Sequence, residues 1–510
     1  METKCAIELK GITKRFGKVV ANKNVSLSLK NGEILSILGE NGSGKTTLMN
    51  MLSGIYFPDE GEIIVNGQEA CIRSPFDAFQ LGIGMIHQHF KLVDVFTAEQ
   101  NIIMGLPGKN RLDMKAISAE IQTLIEKYGF EMDTRKKIYE MSVSEKQTVE
   151  IMKVLYRGAK ILILDEPTAV LTPQETEKLF SVLRRMKEDG KAIIIITHKL
   201  HEVLDISDRV AVLRKGEYIG CVDTKDADEL SLTEMMVGKK VELDIERPKP
   251  KNVKTRIKVE HLTCTDQYGV KMLDDVSFDI KSGEILGIAG IAGSGQKELL
   301  EAIAGLHAAK DESRITYYTD EKEEVNLIEM NPLEMKKHQV SIAFVPEDRL
   351  GMGLVGNMDM IDNMMLRSYR NGKSFFADRK KPALLAEKVK DELEVVTPGI
   401  KTAVRKMSGG NVQKVLVGRE IADNPQVLMT AYAVRGLDIN TSYAIYHLLT
   451  RQKEQGAAVV YVGEDLDVLL SMCDRILVLC GGCISDILPG EEATKEQVGY
   501  LMTHKGGAGR

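Results

Sequence analysis

The sequence predicts a two-domain α/β protein, each domain built on a largely parallel sheet with helices around it. Three observations point there: the length, a repeat of the chain on itself, and short aliphatic runs alternating with helical stretches. At 510 residues the chain is too long for one ordinary core. Gly32-Glu33-Ile34-Leu35 recurs as Gly283-Glu284-Ile285-Leu286, 251 positions on, and the loop Gly39 to Lys45 falls at the same offset on Gly290 to Gln296. Met141-Ser142-Val143-Ser144 meets Met407-Ser408-Gly409-Gly410 at an offset of 266, and Arg209-Val210-Ala211-Val212-Leu213 meets Arg475-Ile476-Leu477-Val478-Leu479 at 266 again. The growth from 251 to 266 places insertions in the second half, expected around Lys310 to Glu324.

The runs Glu33 to Leu38, Ile161 to Leu164 and Ala192 to Ile196 have strand length and few polar residues, as strands buried on both faces do. Their alternation with helical stretches is the pattern of α/β units. Arg247-Pro248-Lys249-Pro250-Lys251 reads as a short charged linker. The expected division is a first domain over 1–241, a linker over 242–255 and a second domain over 256–510.

The first half carries the chemistry. Gly39-Glu40-Asn41-Gly42-Ser43-Gly44-Lys45-Thr46 fits the phosphate-loop pattern and follows an apolar strand. Its glycines let backbone N–H groups turn around phosphate oxygens, and the helix that starts there adds its positive end. Lys45 supplies charge to the β- and γ-phosphates, Thr46 offers a hydroxyl to Mg²⁺, and Thr47 beside it joins the ATP-binding set. Ile161-Leu162-Ile163-Leu164-Asp165-Glu166 ends a buried strand on two carboxylates, at the strand end where ligands of parallel sheets collect. Asp165 is the expected Mg²⁺ ligand and Glu166 the expected base or positioner for the attacking water. His198, after Ile193 to Ile196, is either a γ-phosphate contact or a satisfied buried histidine. His87 and His89 flank Gln88 on one potential strand face, with no third metal ligand evident. Phe16 either stacks on an adenine ring or is a partly buried core aromatic.

Bulk properties narrow the role. A net charge of −6 lacks the basic footprint of a nucleic-acid binder. No secretory signal is visible at Met1-Glu2-Thr3-Lys4-Cys5, which has an acidic residue early and no apolar stretch behind it. No apolar run approaches the roughly 20 residues that cross a bilayer, so a membrane role is expected through partner subunits. Seven dispersed cysteines suit a reducing compartment. Cys480-Gly-Gly-Cys483 reads as a hairpin turn flanked by thiols rather than a zinc shell.

In this order and spacing the motifs resemble the ATP-binding-cassette transporter ATPases, once per half and over nearly the whole chain. The resemblance implies two tandem P-loop NTPase domains, each a mainly parallel sheet with a small antiparallel β part and a helical subdomain. It assigns ATP and Mg²⁺ as ligands, Phe16 to adenine stacking, Gln88 to Mg²⁺ and catalysis, and His198 to a switch role. The stretch around Gln88 is implied to meet integral membrane permease subunits, with an extracellular or periplasmic substrate-binding protein as an indirect partner. Peripheral association with the cytoplasmic face of the membrane is implied as well. Cassettes of this family pair head to tail, so each phosphate loop faces the signature Leu-Ser-Gly-Gly-Gln of the other half. Met407-Ser408-Gly409-Gly410-Asn411 resembles that signature closely, and its serine is also a helix N-cap.

The departures from the family pattern sort by site. In the second half Gln296 and Lys297 replace Lys45 and Thr46, Ala431 and Tyr432 replace Asp165 and Glu166, and Glu464 replaces His198. Val345-Pro346-Glu347-Asp348-Arg349 covers the region of Gln88. In the first half the signature reads Met141-Ser142-Val143-Ser144-Glu145, and Ala169-Val170-Leu171-Thr172 lacks the aspartate kept at Asp438. Head-to-tail pairing gives one competent site: the first-half loop, Asp165, Glu166 and His198 with Ser408, Gly409, Gly410, Asn411 and Asp438. Every damaged part collects in the other.

The linker and charge argue against a ribosome-associated tandem ATPase, and the whole-chain repeat argues against a phosphate-loop kinase. Gly84-Met85-Ile86-His87-Gln88-His89-Phe90 looks like the nucleoside-importing branch, because sugar importers tend to follow that glutamine with Glu-Leu. Nucleosides are the expected cargo and simple sugars the alternative.

Overall fold

The computed structural model describes residues 5–17, 19–87, 90–106, 113–169, 171–197, 199–238, 245–266, 269–310, 312–321, 323–328, 330–369 and 378–504. The chain divides into two compact units, Met1–Glu242 and Leu243–Arg510. The boundary between the units falls within the expected linker, after Glu242. Arg247 Nη1 donates to Leu470 O and Cys473 O, both at 3.1 Å, and the strand Thr255–Thr265 begins inside the expected linker.

The first unit holds a six-stranded sheet in the order Glu217–Asp223, Arg209–Arg214, Ile34–Leu38, Ala192–Ile196, Ile161–Asp165, Ile83–Ile86. Only its first pair is antiparallel. Successive residues of each central strand feed opposite cores. Leu35, Ile37, Ile163 and Ile194 pack with Leu48, Met51 and the second sheet, whereas Ile34, Leu162, Leu164, Ile193 and Ile195 pack with Tyr128, Val149, Leu155 and Leu183. The continuous aliphatic character of these strands follows from that double burial. The second sheet is antiparallel, in the order Val19–Lys30, Cys5–Phe16, Glu60–Val65, Gln68–Glu69. The helices Met114–Tyr128 and Val143–Tyr156 form the helical part.

The second unit repeats the plan. Its six strands run Ile342–Val345, Val427–Ala431, Ala458–Val462, Ile285–Ala289, Arg475–Cys480, Cys483–Pro489. The last two form a hairpin in which Cys480 pairs with Cys483 around Gly481 and Gly482, both at positive φ, and neither cysteine is in a disulfide. The insertions are not confined to 310–324. The offset is 257 at the helix starts Pro75 and Pro332, 259 at the strand starts Ile83 and Ile342, 262 at the caps Thr97 and Asp359, and 266 at Ser142 and Ser408. Strand pairing fixes the sheets, so each connecting loop absorbs a few residues instead. Among the described residues no helix is long and apolar enough to cross a membrane.

Candidate functional site

The phosphate-loop segment leaves the buried strand Ile34–Leu38 and enters the helix Lys45–Leu52. Gly39 at φ 154° and Gly44 at φ 97° make the turn possible. A Cβ at Gly39 would collide with the Leu213 carbonyl and the Ser43 hydroxyl, and one at Gly44 with the Ala21 carbonyl. Ser43 N donates to Glu40 O at 3.0 Å and Leu48 N to Gly44 O at 2.9 Å, which closes the loop into the helix. Asn41, Gly42 and Thr46 are exposed along it, and Thr47 is half-buried.

Lys45 is 8% exposed, and its ammonium donates to Gly39 O at 2.5 Å and Glu40 O at 3.0 Å. Burial pulls its pKa down, while Glu166, Asp165 and Glu40 pull it up. Asp165 ends the strand Ile161–Asp165, and its carboxyl is pushed up to about 6, by burial first and the Glu166 charge second, with Lys45 opposing. Glu166 adopts the left-handed conformation at φ 47°, and its N–H donates to Ile196 O at 2.8 Å. Lys45, Asp165 and Glu166 therefore share one electrostatic neighbourhood at the carboxyl ends of the strands. The Ser43 hydroxyl is buried with no hydrogen-bond partner among the described residues. An unmatched hydroxyl, a loop closed to side chains, a buried lysine and two crowded carboxylates fit a polyphosphate with a divalent cation.

Phe16 ends the strand Cys5–Phe16 and is 43% exposed, so the core-aromatic alternative falls. Its ring meets Tyr56 edge-on at 5.1 Å, and the Lys14 ammonium lies 5.5 Å from its centroid. Gln88, His89 and His198 lie outside the described residues, as does Val170. Lys199 and the helix Leu200–Ile206 are tied to Thr168 by groups the sequence did not single out. Thr168 Oγ1 donates to Glu202 Oε2 at 2.5 Å, and the Lys199 ammonium donates to Glu202 Oε1 and Thr168 O, each at 3.0 Å. A lysine and a glutamate three apart at a helix start was the available signal.

The second unit keeps the backbone of this site and exchanges its chemistry. Gly293 and Gly295, at φ 85° and 100°, repeat Gly42 and Gly44 at 81° and 97°. Gln296 is buried in the place of Lys45, and its amide donates to Ile291 O at 3.1 Å. Tyr432 repeats the Glu166 backbone, with φ 50° and its N–H on Val462 O at 2.9 Å. Its hydroxyl pKa is pushed up to about 12 by burial and by Glu464 and Glu347. Thus neither the two acids that end the first unit's strand nor the lysine at the Lys45 position is kept here.

The two signature segments also differ. Ser408 caps the helix Gly409–Ile421 through a 3.5 Å bond from Asn411 N, and Asn411 Nδ2 donates back to Ser408 Oγ at 2.8 Å. Asp438 accepts from Thr441 N and Thr441 Oγ1, both at 2.8 Å, and packs against Gly410. In the first unit Glu145 closes a capping box instead. Its carboxylate accepts from Ser142 N at 2.7 Å and pairs with Lys136 at 2.7 Å. That helix start is already filled by an internal anion, which a phosphate would have to displace. Thr172 caps the helix Pro173–Glu188 as Asp438 caps Ile439–Glu454.

A nucleotide-type loop backbone repeated in each unit, with a strand ending in two acids in the first and a serine-glycine helix start in the second, defines a tandem ATPase. The ABC transporter family model matches residues 22–169 and 273–430, so the chain belongs to that family and is an ATP-binding, ATPase subunit with two cassettes. It is similar to the nucleoside import ATP-binding protein NupA of Lactococcus lactis, 41% identical with 98% of this chain and 99% of that protein covered. The guanosine import ATP-binding protein NupO of Bacillus subtilis is 40% identical, with 97% of each chain covered. The ribose import ATP-binding protein RbsA 1 of Rubrobacter xylanophilus is 38% identical, with 98% of each covered.

Proposed function

We propose that this chain powers import of nucleosides through integral membrane permease subunits, hydrolysing ATP at one competent site. The observation that carries it is the split of the chemistry. Lys45, Asp165 and Glu166 crowd one neighbourhood in the first unit, whereas the second unit has Gln296, Ala431 and Tyr432 there. Gly39, Asn41, Gly42, Ser43, Gly44, Lys45, Thr46 and Thr47 grip the nucleotide, and Ser408, Gly409, Gly410, Asn411 and Asp438 belong to the same ATP-binding set. Phe16 stacks on the adenine, and His198 touches the γ-phosphate. Thr46, Asp165 and Gln88 would hold Mg²⁺, which would neutralise charge on the phosphates. Glu166 orients the attacking water and takes its proton. Removing a general base costs on the order of 10²–10⁴ in rate, so E166Q in the assembled transporter is expected to lose ATPase by at least about a hundredfold.

Nucleosides are favoured over sugars because the nucleoside and guanosine import proteins above are 41% and 40% identical over nearly the full chain, against 38% for the ribose one. The chain works at the cytoplasmic face of the membrane, and a substrate-binding protein outside delivers the cargo. Uptake of labelled nucleosides and of labelled ribose by the complete complex tests the assignment. Nucleoside uptake that needs ATP is the expected result, and ribose uptake alone contradicts it.

A further inference from the structure

Three strand ends of the second unit's parallel sheet lie side by side, those of Ile342–Val345, Val427–Ala431 and Ala458–Val462. One side chain ties the segments that follow all three. Arg435 meets the Glu347 carboxylate through Nη1 at 2.5 Å and the Glu464 carboxylate through Nε at 3.0 Å, with its guanidinium 5.9 Å from the Tyr432 ring centroid. A planar guanidinium fork suits such bridging, which a lysine cannot reproduce.

The tie extends to the signature. The Arg435 carbonyl accepts a hydrogen bond from Arg349 Nη2. The other arm of Arg349 reaches Gly409, where an added Cβ would sit 3.2 Å from Nη1. The next glycine, Gly410, faces the same loop from the other side, its added Cβ being 3.3 Å from Asp438 Oδ2 and 3.3 Å from Thr441 Oγ1. The first turn of the helix Gly409–Ile421 is thus bracketed by Asp438 and by an arginine held on the Arg435 carbonyl. The first unit cannot build this tie, since Ala169 stands at the offset of Arg435 and Glu166 at that of Tyr432. Its acids, Asp165 and Glu166, end one strand in the neighbourhood of Lys45, whereas Glu347 and Glu464 of the second unit are bridged by Arg435.

We propose that Arg435 and Arg349 are positioning residues for ATP hydrolysis, acting through Ser408–Asn411. They hold the second unit's signature helix start against its strand ends. The catalytic half of this inference rests on the proposed role of Ser408–Asn411 at the first unit's ATP, whereas the structural half does not. Arg435 and Glu347 are 51% and 39% exposed in their side chains, and such pairs add little global stability, so variants there are expected to fold.

The test uses the full chain carrying R435A, R349A or the milder R349K. Hydrogen exchange over 408–414 is measured without nucleotide, and kcat and KM for ATP in the reconstituted transporter. Expected are exchange about tenfold faster at the helix start and kcat about tenfold lower, with KM changed less than about twofold. R435K recovers only part of either, and E347A added to R435A changes neither further. Unchanged exchange in R435A and R349A overturns the clamp, whatever the activity. Faster exchange with unchanged kcat overturns its catalytic role when E166Q silences the transporter. If E166Q leaves ATPase intact, the single-site reading fails instead, and exchange alone decides the clamp.

Discussion

Lys45 illustrates how burial and charge compete at one residue. Its ammonium has given up water for two loop carbonyls, and three acids nearby offset only part of that loss. Asp165, pushed up to about 6, is the complementary strain. Both are relieved by a ligand that brings anionic oxygens to the lysine and a cation to the acid. The loop that brings the ligand there tolerates no side chain at Gly39, where a Cβ meets a backbone carbonyl that cannot move aside. G39A is expected to add about 1–3 kcal/mol of strain and to raise the dissociation constant for ATP by the corresponding factor. Nucleotide titration of the purified chain checks this, and unchanged affinity removes the loop from the site. The Thr168–Glu202 contact makes a second prediction. T168V takes one donor from the buried Glu202 carboxylate and is expected to cost about 1–3 kcal/mol in urea unfolding.

Elements repeat more faithfully than their sequences. Asn101 and Asn363 are both fully buried and do the same work. Asn101 Oδ1 accepts from Val93 N at 2.8 Å while Nδ2 donates to Val93 O and Thr97 O. Asn363 Oδ1 accepts from Val355 N at 2.8 Å while Nδ2 donates to Val355 O and Asp359 O. Each pins the irregular segment between a parallel strand and the helical part. N101A and N363A are each expected to destabilise by about 1–3 kcal/mol, because a buried N–H and carbonyl lose their partner. A change below about 0.5 kcal/mol in denaturant titration contradicts the pinning.

These asparagines were invisible in the sequence, since a buried polar side chain and a solvated one look alike there. The aliphatic strands, the glycine loop and the two acids at Asp165 were legible because each needs a particular residue type at a fixed spacing. Contacts between segments far apart in sequence, such as Arg349 on the Arg435 carbonyl, leave no such spacing. Glu145 was legible only as a lost signature residue, and its carboxylate proves to fill the helix start by a capping box.

At the scale of the molecule, one architecture appears twice and the chemistry once. The second unit retains even the left-handed backbone of Glu166, at Tyr432, although no carboxylate remains to be aimed. Backbone geometry there is kept while the side chains it presents are exchanged, so a single reversion is expected not to restore chemistry. Q296K in an E166Q background is expected to leave ATPase at the level of E166Q alone, because Ala431 and Tyr432 still supply neither metal ligand nor base. Recovered turnover in that double variant contradicts a dead second cleft.

The central claim of the proposed function is that Ser408, and not Ser142, serves ATP hydrolysis. Ser142 and Ser408 are both exposed N-caps, so replacing either with arginine costs about the same 0.5–2 kcal/mol of helix stability. The most direct test is the ATPase rate of the assembled transporter with S408R against S142R. The account predicts that S408R abolishes turnover and S142R keeps most of it. Equal losses in the two, or a larger loss with S142R, contradict it.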